Sequence, residues 1–287
     1  MKVFNVIFIL LLINVLYSCS KEKIQIDPYQ APELLPDNLV PGDQMNDAIL
    51  TLYDDLGIVV YTDTEDPRFR KDLVSDETLQ LPERLPADTS AVLFYIKMIR
   101  DELYSVLPDD KKYLAPRNFY VLKSPLVSGT GYYKYKYKSY LWSNSFADVT
   151  VGSLDESQLD TTLLKESLIY ALSSVLRGQK YNSGIFGQFQ TAADDAGYYW
   201  SVTSDEAAYS NGFITSDQGA ILSDQQDFDS YAAWAATVNP NTRDSILTLY
   251  PGIATKYSLV SAVFRSEGIS LEQINEKWQD SPLNPNH

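Results

Sequence analysis

The chain has 287 residues, 45% apolar and 21% charged, with a formal net charge of −15. Length and apolar content suit one large packed domain or two small ones, and the acidic balance excludes nucleic acid and anionic lipid as electrostatic partners, since both would repel it. A single cysteine, Cys19, leaves no intrachain disulfide to form, so stability has to come from a core.

Lys2 precedes an apolar stretch over residues 3–17, and Leu16-Tyr17-Ser18-Cys19 closes it. A basic start, a short greasy middle and a small-residue exit make a secretory signal. At ~15 residues the stretch falls short of the roughly 20 that a helix needs to cross a bilayer. A cysteine just past the cleavage point resembles a bacterial lipobox. Residues 1–18 are then the signal, and Cys19 becomes the acylated, palmitate-type first residue of the mature chain. Several acyl chains hold a protein to a membrane stably where one holds it marginally. Ser20, not Asp, follows Cys19, so inner-membrane retention is not signalled and the outer membrane is the expected address. Pro28, Pro32, Pro36 and Pro41 punctuate a stretch without apolar periodicity, a tether ending at residue 42. Residues 43–287 form one domain.

Residues 43–56 space Met45, Ala48, Ile49, Leu52 and Tyr53 as a helix that Gly57 ends. Residues 58–61 predict a strand, 62–88 a surface loop, 91–107 an amphipathic helix stopped by Pro108, and 119–122 a second strand. Residues 132–141 and 146–151 alternate and predict paired strands, with lysines guarding a sheet edge. Residues 159–176 predict a long helix and 180–217 an irregular, Gly- and Tyr-rich stretch. Helices are expected over 225–236, 242–249, 252–266 and 271–278. Strands early and helices late give an α+β fold.

Three stretches carry a family resemblance. Leu168-Ile-Tyr-Ala-Leu-Ser-Ser-Val-Leu-Arg-Gly-Gln179 is similar to an HExxH helix followed by Gln. Gly212-Phe-Ile-Thr, then Gln226-Asp-Phe-Asp-Ser230, resemble a Gly-Phe-Val-Ser segment and a Glu-Asp-Phe-Ala-Glu motif. Lys256-Tyr257 through Phe264, then Gly268-Ile-Ser-Leu271, resemble a closing Lys/Tyr helix and a Gly-Ile-Asp-Leu turn. In this order they resemble the substrate-import-associated zinc metallohydrolase lipoproteins of Bacteroidetes, provisionally classed as zinc-binding metallopeptidases. The resemblance implies a zincin-like domain: a small mixed sheet in the first half, a long central helix and a helical C-terminal half. It also implies a place beside a TonB-dependent nutrient importer.

The zinc ligands do not carry over. HExxH works because histidines at i and i+4 share a helix face and the adjacent Glu serves as general base. The histidine positions hold Ala171 and Val175, the base position Leu172, and the acidic position Gln226. A second register sets Lys165-Glu166 over His-Glu and Ile169 over the second His; it keeps an acid but supplies no ligand. The chain's one histidine is His287. Leu164, Leu168, Ala171, Val175, Leu172 and Leu176 instead make an apolar stripe. No catalytic residue, metal or other cofactor is therefore expected.

Asp224, Asp227 and Asp229 lack the spacing of a calcium loop and suit a solvated helix start capped by Asp224; Asp194-Asp195 suits a loop. A two-carboxylate hydrolase stays open, with no pair singled out, and one histidine at the last position precludes a Ser-His-Asp triad. Tyr133, Tyr135 and Tyr137 share one face of a strand, and Tyr198, Tyr199 and Trp200 form a second aromatic group. Such rings pack into cores, or bind glycan or a peptide partner. The expected protein is an outer-membrane lipoprotein, inactive as a peptidase, acting in binding or assembly; a glycan-binding lipoprotein or a carboxylate hydrolase is the alternative.

Overall fold

The computed structural model describes residues 35–36, 39–65, 85–124, 141–143, 148–180, 184–192, 204–214 and 224–285. The chain divides into two units, Met1–Leu35 and Pro36–His287, and every element described belongs to the second. Cys19, Tyr133, Tyr135, Tyr137, Asp194, Asp195, Tyr198, Tyr199, Trp200 and His287 lie outside the described residues.

Asp43 starts helix α1 (Gln44–Leu56): its carboxylate accepts from the backbone N–H of Met45 and Asn46 at 3.0 and 3.1 Å, satisfying two donors that a helix start leaves open. Gly57 stops it at φ +66°, a left-handed conformation that costs glycine little. The chain then enters β1 (Val59–Tyr61). Helix α2 (Thr89–Met98) runs on into a π-helical segment, Ile99–Leu103, and a 3-10 turn, Tyr104–Val106. The expected uniform helix over 91–107 is thus widened in its middle. The widened turn coincides with ammonium groups arriving from outside the segment: the carbonyls of Glu102 and Asp101 accept hydrogen bonds from Lys165 and Lys277.

Strands β2 (Asn118–Val121), β3 (Leu141–Ser143) and β4 (Asp148–Val151) complete a four-stranded sheet of order β1-β2-β4-β3. β1 pairs parallel with β2, and β2 with β4, while β3 closes the edge antiparallel to β4. Parallel strands are covered on both faces and read as apolar runs. Val59, Val60, Phe119 and Val121 are all fully buried. Of the strands expected over 132–141 and 146–151, the described parts pair, Leu141 opposite Val151; residues 132–140 lie outside the description.

The second half is helical. Asp160 accepts from Leu163 N–H and opens the long helix α3 (Thr161–Lys180). The stretch expected to be irregular over 180–217 holds two helices, α4 (Gly184–Thr191) and α5 (Asp205–Ser210). Both are too short to show periodicity, and Gly184 and Gly187 mask α4 by their low helix propensity. Yet Phe186 and Phe189 anchor α4 in the core, and Ser204 caps α5 through Ala207 N–H. Then come α6 (Asp224–Thr237), α7 (Pro240–Leu249), α8 (Pro251–Ser266) and α9 (Leu271–Gln279). α6 is buried along nearly its whole length, packed on α3, α8 and α9. Among the described residues no helix is long and apolar enough to cross a membrane.

Candidate functional site

The central helix α3 presents different chemistry on different faces. Leu164, Leu168, Ala171, Leu172, Val175 and Leu176 all lie in the main hydrophobic core, with Ala171 3% and Val175 7% exposed. Ser173 and Arg177, four residues apart, instead meet one carboxylate of α6. Ser173 Oγ donates to Asp229 Oδ1 at 2.8 Å. Arg177 Nε and Nη2 donate to Asp229 Oδ2 at 3.2 and 3.0 Å. That is the i, i+4 spacing with which a metal helix offers two imidazoles to an ion; here a guanidinium supplies the positive charge.

Two positions away, Asp227 is held by α8. Lys256 Nζ donates to Asp227 Oδ2 at 2.7 Å and to the Gly212 carbonyl at 3.1 Å. Tyr231 Oη donates to the same carbonyl at 2.8 Å. Gly212 can turn there because its φ is +75°. The ammonium lies 4.3 Å from the Phe213 ring centre and 5.0 Å from that of Phe189, close enough for cation–π attraction.

Asp227 and Asp229 are each 1% exposed, which corrects their expected place at a solvated helix start. A carboxylate pays heavily to leave water and is kept by a cation that leaves with it. Asp224 is the exposed first residue of α6, and its carboxylate takes a hydrogen bond from Gln190. Burial pushes Asp227 up to about 7, against the pull of Lys256. It pushes Asp229 up to about 6, against Arg177 and Ser173.

A third buried pair, not anticipated, joins α3 to the π-helical segment. Lys165, 0% exposed, donates to Glu102 Oε2 at 3.1 Å and to the Glu102 carbonyl at 2.6 Å. Ser281 Oγ donates to Glu102 Oε1 at 2.7 Å. Burial lowers Lys165 to about 8, with Glu102 opposing. The adjacent Glu166 accepts from Thr237 Oγ1 on α6 at 2.9 Å. One sequence signal pointed here: a lysine amid Leu164, Leu168, Ile169 and Leu172 on a helix can stay charged in a core when an acid faces it.

Zinc is held by imidazole, thiolate or carboxylate. Ala171, Leu172 and Val175 carry no lone pair, and the neighbouring acids of α6 are committed to Arg177 and Lys256. Gln226 is half-buried at the start of that segment. Among the described residues no three His, Cys, Asp or Glu side chains gather as a metal site. The residues present do not fit the ion.

The mixed sheet, the long helix α3 and the helical second half define a zincin-like, metallopeptidase-like α+β fold. The chain is similar to a protein of known crystal structure from Bacteroides caccae, provisionally named a zinc-binding metallo-peptidase. The likeness covers 85% of this chain and 95% of that one, with a TM-score of 0.54 and 14% identity, a level that speaks for the fold alone. No family model matches the chain, and no curated protein matches it.

Proposed function

We propose that the chain is an outer-membrane lipoprotein, anchored through acylated Cys19, whose zincin-like domain works without catalytic zinc. Its role is binding or assembly beside a TonB-dependent nutrient importer. One observation supports the inactive reading above others: Ala171 and Val175, at the positions of the HExxH histidines, are methyl-bearing core residues. The order of the three family-like stretches supports the importer setting, and Leu16-Tyr17-Ser18-Cys19 supports the anchor.

The test is elemental analysis and a peptide-hydrolysis screen on the purified full chain. Substoichiometric zinc and no chelator-sensitive hydrolysis are expected. One zinc per chain with activity abolished by chelator would end the proposal. The anchor is checked separately: Cys19→Ala should move the protein from the membrane to the soluble fraction and remove incorporation of labelled fatty acid.

A further inference from the structure

Asn211-Gly212 is the one Asn-Gly pair in the chain. Asparagine before glycine is chemically labile: the glycine nitrogen can attack the asparagine side-chain carbon, and with no Cβ in the way a cyclic imide closes. The fold holds this pair in a closed turn. α5 ends in a Schellman arrangement, with Gly212 N–H donating to the Tyr209 carbonyl at 3.0 Å and Phe213 N–H to that of Ala208 at 2.9 Å. Gly212 takes the left-handed φ of +75° that the motif needs, and Phe213 packs on Ala208 as its apolar contact. The attacking nitrogen is thus engaged with Tyr209. The amide under attack is held too: Asn211 Nδ2 donates to the Ala207 carbonyl at 2.7 Å. Both bonds must open before the ring can close.

The latch is a small one. α5 has six residues, and among the described residues Ala208 and Phe213 form a cluster apart from the main core. A short helix on few apolar contacts opens locally at low cost. Asn211 is exposed, at a surface trough of about 530 Å³, so water can reach it. The position also gives the reaction a consequence. The Gly212 carbonyl accepts from Lys256 Nζ and from Tyr231 Oη, beside the buried Asp227.

We infer that Asn211-Gly212 is a spontaneous modification site, latched by the α5 turn, whose conversion to isoaspartate draws the Gly212 carbonyl away from Lys256. In the step, the Gly212 nitrogen bonds to Asn211 Cγ and the Cγ–Nδ2 bond breaks. The proton of the Gly212 N–H leaves with Nδ2 as ammonia. Water then opens the imide at either carbonyl. One opening gives aspartate on an unchanged backbone. The other gives isoaspartate, whose main chain runs through the former side chain and is one carbon longer. That longer chain displaces Gly212, and the Lys256–Asp227 pair loses the carbonyl that shares its ammonium. A past opening of α5 is thereby fixed as a lasting loss of stability.

The test is incubation of the full chain at mildly alkaline pH, folded and in guanidinium chloride. Peptide mapping reads the gain of one mass unit at residue 211 and separates the aspartate and isoaspartate forms. Conversion is expected in denaturant, and roughly tenfold or more slower in the folded protein, because two hydrogen bonds must open first. Ser204→Ala removes the exposed cap of α5, away from the reacting atoms. It should speed the folded reaction about fivefold and leave the denatured rate unchanged. Asn211→Gln, whose longer side chain closes a ring poorly, should abolish the mass gain. The isoaspartate form, isolated by ion exchange, should melt several degrees below Asn211→Asp, which carries the same charge on a normal backbone. Five results would each overturn the inference: no conversion in denaturant; equal rates folded and denatured; no conversion in either folded protein; a folded rate that Ser204→Ala leaves unchanged; or an isoaspartate form that melts with Asn211→Asp.

Discussion

Asp227 and Asp229 stand two residues apart at the head of a helix, a pattern that ordinarily faces water. What buries them is remote: Lys256 lies 29 residues further on and Arg177 52 residues back. No local spacing encodes such a meeting, so these groups were legible as acids but not as partners. The pair makes a sharp mutational contrast. Arg177→Ala strands Asp229 in the interior and should cost about 3–5 kcal/mol, read from the urea midpoint. Replacing both members, as R177M with D229L, should recover most of that loss, because the stranded charge is gone. A double variant less stable than the single one would contradict this account. The pH dependence follows from the same burial. Both aspartates are raised above the unfolded value of 3.8, to about 7 and about 6. The folded protein therefore binds these protons more tightly than the unfolded chain. Their contribution is fully present below pH 3.8 and is lost as pH rises through 6 and 7. Melting temperature should fall across that interval, and Asp229→Asn should flatten the lower part of the fall. An equally steep curve in the variant would show that Asp229 is not the titrating group.

Element boundaries that rest on local chemistry are legible in the chain. Asp43 before a periodic run and Gly57 after it mark ends that the structure keeps within a residue or two. The cap at α1 is open to a clean measurement, because Asp43 is exposed and touches little else. Asp43→Ala should cost about 1 kcal/mol, lowering the melting temperature by roughly 2–4 °C for a domain of this size. An unchanged melting temperature would mean that α1 frays independently of the cooperative core. The π-helical segment Ile99–Leu103 shows the opposite case. Its sequence repeats like any amphipathic helix, and its widened turn coincides with ammonium groups arriving from α3 and α9. α4 was hidden for another reason: eight residues containing two glycines carry no helical signature, and only its packing through Phe186 and Phe189 reveals it.

At the scale of the whole molecule, the three stretches that carry the family resemblance meet around one helix. Residues 168–179 supply Ser173 and Arg177. The stretch from Gly212 to Ser230 supplies a carbonyl and the two buried acids of α6, Asp227 and Asp229, and Lys256 opens the third. No single motif among them is distinctive, yet each contributes to a shared interior that fixes where the others lie. The α+β class was legible because strands early and helices late survive errors at individual boundaries. The interior is bound together by cations the chain carries itself, α3 joined to α6 by Arg177 and α6 to α8 by Lys256. A ligand that binds the folded state alone raises stability by RT ln(1 + [L]/Kd), about 2.7 kcal/mol at a hundredfold excess over Kd. A zincin that depended on its metal would melt at a lower temperature in chelator and at a higher one in zinc. For this chain, thermal melts with EDTA and with equimolar zinc should superimpose on the untreated curve. A chelator-induced drop of several degrees, reversed by zinc, would place an ion inside the cluster and displace Arg177 as the source of its positive charge.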